Sequence, residues 1–151
     1  MAATLPNTFV WQFADKYLHL EGEIGGQKGI LQFTEKAPKY VFEPEDESGN
    51  MKIKCSENSL YLKGVQSPTG GSSTMWLIVA AAESHEDSTS FELKTYKSIN
   101  NTQGSFRLLH VKSNLYLRPH KVAGGSNAVL CAVEQNPDAG NGDLFTATGH
   151  S

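Results

Sequence analysis

The sequence predicts an all-β protein, a β-trefoil built from three four-stranded repeats at about 1–47, 48–103 and 104–151, in a single domain spanning 1–151. Three observations carry that reading. A Tyr-Leu strand recurs as "KYLHL" (16–20), "LYLKG" (60–64) and "LYLRP" (115–119). An apolar or alternating strand precedes each copy. A loop, a second apolar run and a closing strand follow each copy, with Phe42, Phe91 and Phe145 in the same slot.

Taken in order, the opening strands are "TFVWQF" (8–13), "MKIKC" (51–55) and "FRLLHV" (106–111). Alternation with a period of two is plain at Met51, Ile53 and Cys55, and at Phe106, Leu108 and His110, as expected of strands with one buried face. The Tyr-Leu strands come next, with Leu18, Leu62 and Leu117 expected in equivalent buried positions. The loops after them are "EGEIGGQKG" (21–29), "GVQSPTGGSST" (64–74) and "HKVAGGSNA" (120–128). Gly and Ser dominate them, which suits turns. The apolar runs "ILQF" (30–33), "WLIVAA" (76–81) and "VLCAV" (129–133) read as strands, the second because Ile78 and Val79 are β-branched. The closing strands are "YVFEP" (40–44), "SFELK" (90–94) and "DLFTAT" (143–148). "EPEDESGN" (43–50) reads as a solvated acidic turn, and Trp11 and His110 as core residues.

Composition narrows the function. Of 151 residues 38% are hydrophobic and 19% charged, and the net charge is −3, which is ordinary for a folded soluble domain. No basic stripe exists to release counterions, so a nucleic-acid partner is not expected. No apolar stretch is long enough for a membrane span. The N-terminal "MAATLPNTFVWQF" has neither a positive n-region nor a long h-region, so no signal peptide is expected. A cytoplasmic or nucleocytoplasmic location follows as an expectation, with Cys55 and Cys131 as reduced thiols.

Catalytic patterns are missing. The histidines at 19, 85, 110, 120 and 150 do not pair at metal-ligand spacing. There is no G-x-S-x-G, P-loop or dinucleotide fingerprint. The expectation is a non-enzymatic binding module with no cofactor and no metal. Its candidate site is the end of the unit-two loop, Ser73, Thr74, Met75 and Trp76. An indole can stack on the flat apolar face of a sugar, and loop hydroxyls can bond its hydroxyl groups.

The segments "GILQF", "YVFEPEDESGNMKIKC", "LYLKG", "WLIVAAAESHEDS", "SFELK" and "FRLLHV" together resemble the amaranthin-type lectins, plant agglutinin domains, over about Phe9–Phe145. The resemblance implies a β-trefoil and carbohydrate binding without catalysis, of Gal/GalNAc-type glycans and with a role in plant defence or stress. It also implies self-association as a homodimer, or fusion to other domains such as aerolysin-like pore formers. The family's sugar-contacting Ser-Pro-Asn-His-Tyr-Trp stretch corresponds here to Ser67-Pro68 through Trp76. Ser73-Thr74-Met75 replaces the Asn-His-Tyr, so the disaccharide preference does not carry over directly. The alternative is a β-trefoil that binds other proteins and no sugar. Glycan binding separates the two.

Overall fold

A computed structural model describes residues 5–22, 27–47, 50–66, 76–84, 86, 88–121, 127–134 and 145–149. Among them are twelve strands: β1 (Phe9–Phe13), β2 (Lys16–Leu20), β3 (Leu31–Thr34), β4 (Phe42–Glu47), β5 (Asn50–Cys55), β6 (Leu60–Gln66), β7 (Trp76–Ala82), β8 (Phe91–Ser98), β9 (Gln103–His110), β10 (Leu115–Lys121), β11 (Ala128–Glu134) and β12 (Phe145–Gly149). No helix long and apolar enough to cross a membrane occurs among the described residues.

The pairing is antiparallel throughout, and the chain order is not the sheet order. Hydrogen-bonded neighbours run β11-β3-β2-β1-β12-β9-β8-β5-β6-β7, and β7 pairs back to β11 through Cys131↔Leu77 and Ala132↔Trp76. Ten strands thus form a closed circuit. Two lie off it. β4 bridges β1 and β5, and β10 bridges β9 and β11. Closure leaves few unpaired edges.

This corrects the expected three-repeat β-trefoil. The all-β class stands, but the pairing traces a closed ten-stranded barrel with appended strands, not three equal four-stranded units. β6, β7, β10 and β11 have seven residues each, whereas β2 has five and β3 four. The physical reason is that a recurring strand pattern reports which face is apolar, not which neighbour covers it.

Local features do recur. Leu18, Leu62 and Leu117 are all buried, as are Phe42, Phe91 and Phe145. The register shifts between Tyr61 and Leu62 and again between Tyr116 and Leu117. Ala14, Ser59 and Asn114 take positive φ ahead of the three Tyr-Leu strands, a tight-turn conformation that costs a side chain energy.

The main core centres on Trp11, fully buried. Phe42, Phe106 and Phe145 each sit 5.4 Å from it, centroid to centroid, and Phe9 sits at 5.8 Å. A second cluster of Ile30, Leu77, Val79, Val129 and Cys131 lies where β3, β7 and β11 meet. β7 therefore buries both faces, Ile78 and Ala80 in the main core and Leu77 and Val79 in the second. That is why "WLIVAAA" is continuously apolar rather than alternating.

The acidic run is also corrected. Glu43–Glu47 is not a turn but the body of β4, opposite β5, with Glu43↔Lys54 and Glu45↔Lys52 in register. Opposite charges directly across a strand pair are favourable, and Tyr61 Oη donates to both Glu45 carboxylate oxygens at 3.1 and 3.3 Å.

Cys55 and Cys131 are free and buried. Burial raises both thiols, Cys131 to about 12. Since the thiolate is the reactive form, both are expected to resist alkylation at pH 8 in the folded protein and to react fully in denaturant. Rapid labelling of Cys131 in native conditions would contradict its burial.

Candidate binding groove beside Trp76

Of the four expected site residues, Ser73, Thr74 and Met75 lie outside the described residues. Trp76 opens β7, half-buried and packed against the main core. Its environment comes from distant parts of the chain. The His110 ring lies 5.3 Å away, and Lys112 Nζ stands 5.4 Å above the indole centroid, a favourable cation–π distance. On the neighbouring strand, a Cβ added to Gly64 would come within 3.3 Å of the indole and 2.7 Å of His110 Nε2. Only glycine lets β6 pass this close to both rings.

Gly64 and Lys112 also line an open groove of about 650 Å³. Its walls are Lys63, Gly64 and Val65 of β6, the segment Glu86 and Ser88–Ser90, and Val111–Lys112 after β9. Backbone and side-chain hydrogen bonds fix these walls. Thr89 N–H donates to Leu62 O at 3.1 Å, Gly64 N–H donates to Thr89 Oγ1 at 2.7 Å, and Val111 N–H donates to Ser90 O at 3.1 Å. Lys52 Nζ donates to Ser88 O at 3.0 Å. The result is three consecutive hydroxyl residues along one wall, one valine on each of the other two, and Trp76 beside Lys112.

No family model matches the chain, and no curated protein resembles it closely enough to count as a relative. The chemistry of the groove must therefore speak from its own residues. Among the described residues, no group of three or more His, Cys, Asp and Glu side chains is placed to hold a metal ion.

His110 forms the inner end of this arrangement. It is fully buried, as expected from its alternation with Leu108 and Phe106. Nδ1 lies 2.6 Å from Ser113 Oγ, while Nε2 has no hydrogen-bond partner among the described residues. Burial, and then the Lys112 charge, lower its pKa from 6.5 to about 4. The folded state thus holds it neutral, whereas the unfolded chain binds a proton below about pH 6.5. Stability should fall as the pH drops from about 6.5 to about 4, by roughly 3 kcal/mol in all. Urea unfolding at a series of pH values checks this. His110→Gln, which cannot titrate, should show a shallower slope across that window, and an unchanged slope would refute the assignment.

Sequence reasoning singled out Trp76 but not the groove beside it. The signal available was the hydroxyl run Ser88-Thr89-Ser90. Nothing local shows that it folds against β6 and the residues after His110.

Proposed function

We propose that this chain is a non-catalytic carbohydrate-binding module, and that it holds a saccharide in the groove between β6, Ser88–Ser90 and Val111–Lys112. One observation carries the reading: three consecutive hydroxyl residues, Ser88, Thr89 and Ser90, line an open groove together with Lys112, whose ammonium lies over a half-buried indole. Hydroxyl groups serve as both donors and acceptors, which matches the alternating demands of a sugar ring. Valine methyls and the indole suit its apolar face. The sequence resemblance to amaranthin-type lectins points the same way. A cytoplasmic or nuclear setting fits the two free thiols.

A shallow open site of this kind binds one sugar weakly, near millimolar or about −4 kcal/mol. Useful affinity then rests on several sites acting together, through self-association or fusion to other domains.

The test is a glycan array followed by titration calorimetry on the best ligand. Ser88→Ala with Ser90→Ala should weaken binding by about thirtyfold, at roughly 1 kcal/mol per lost hydrogen bond. Trp76→Phe should weaken it further. Trp76→Ala is a poorer probe, because the side chain packs on the core and its removal also lowers stability. A protein that binds no glycan, or a double serine variant that binds normally, would sink the proposal for this groove.

A further inference from the structure

Resting on the carbohydrate-binding reading, we infer that the groove selects an anionic saccharide, one bearing a carboxylate or sulfate, over its neutral counterpart. The selecting groups are Lys112 and Lys63. They come from separate segments, the turn after β9 and the middle of β6, yet both line the same groove. Neither pairs with a carboxylate among the described residues; the ion pairs there involve Lys36, Lys39 and Lys94. Two lysines from separate segments therefore line one groove, beside Ser88–Ser90, on a chain whose net charge is −3.

Lys112 supplies the discrimination. Its ammonium rests on the indole of Trp76. A neutral sugar that stacks on that ring must displace the ammonium and forfeit the cation–π contact. An anionic sugar gives the displaced ammonium a new partner in place of the ring, so the same movement is compensated. Specificity then arises from a contact that one ligand class replaces and the other only breaks. Glu86 is the single described carboxylate lining the groove, and it is exposed. It opposes an anion from the rim but accepts hydrogen bonds from sugar hydroxyls, so it favours an acidic saccharide that also carries free hydroxyls over a bare anion.

The experiment is an array carrying neutral oligosaccharides beside their uronic-acid and sulfated counterparts, probed with the full chain at low and high salt. The acidic members should bind more strongly, and the difference should shrink as salt rises to about 0.5 M, where exposed charges are screened. Lys63→Gln and Lys112→Gln should each weaken acidic-glycan binding about two- to fivefold, the usual range for an exposed charge pair. Lys112→Gln should at the same time strengthen neutral-glycan binding, since no ammonium then has to leave the ring, and Lys112→Arg should restore acidic preference. Circular dichroism on each variant confirms that it folds. Neutral glycans binding as well as acidic ones would overturn this inference while leaving the lectin reading intact. An array with no bound glycan would overturn both. Binding of inorganic sulfate as tight as that of a sulfated sugar would overturn the saccharide part of the claim.

Discussion

Trp11→Ala is expected to cost about 3–5 kcal/mol, the range for removing a fully buried large aromatic side chain. At about 2–4 °C per kcal/mol for a chain of this size, that is a drop in Tm of roughly 6–20 °C. The reason is convergence. Rings from β1, β4, β9 and β12 all pack on the indole, so no single neighbour can move in to fill the space. Trp11→Phe should be much milder. It keeps an aromatic centre, and it removes Nε1, a buried donor with no hydrogen-bond partner among the described residues. An unpaired buried donor costs about 1–3 kcal/mol, which offsets part of the lost volume. Differential scanning calorimetry on both variants tests the argument. Equal losses for Ala and Phe would mean that the ring cluster is not what holds this region.

Gly29→Ala is the second large effect, expected at about 2–5 kcal/mol. Two costs add. Gly29 has φ of +77°, where a side chain costs roughly 1–2 kcal/mol. The added Cβ would also lie 2.5 Å from the backbone oxygen of Ala80, and overpacking of this kind costs about 1–3 kcal/mol. Retreat is difficult, since Ala80 N–H donates to Gly29 O at 2.8 Å and Ile30 bridges Val79 beside it. Gly22 provides the control. Its φ is +81°, but among the described residues a Cβ there meets only the Gln32 side chain, at 3.1 Å. Gly22→Ala should therefore show only the conformational cost. Similar denaturation midpoints for the two variants would show that the Ala80 contact is unimportant.

The strands were legible in the sequence because they carry their own marks. Met51, Ile53 and Cys55 alternate, and Leu18, Leu62 and Leu117 recur beside tyrosine. β4 was legible only at its start, in "YVFEP" (40–44), because Glu45, Asp46 and Glu47 look like a solvated turn when read alone. Its strand character depends on Lys52 and Lys54 across the pair, which no local window contains. The closed circuit was hidden for the same reason. β7 meets β11 at Cys131↔Leu77, a choice of partner made by packing. At the candidate groove, Trp76 stood out as an indole beside a hydroxyl-rich loop. Lys112 joins it through a cation–π contact, Ser90 through a hydrogen bond from Val111, and Gly64 through the pairing of β6 with β7, none of which a local window contains.

The pairing of β1 with β12 places Phe9 opposite Gly149, and this governs the order of assembly. Hairpins such as β6–β7 can form from their own short stretch of chain. The ring cannot close before residues 145–149 are present to dock on both β1 and β9. Until then β1 and β9 each present one open ladder, and Trp11 lacks the Phe145 wall of its pocket. Closure by sequence-distant partners slows folding into the millisecond-to-second range, and the waiting intermediate exposes both aromatic surface and unpaired strand edge. Chains halted short of residue 145 should therefore be the species most prone to self-associate.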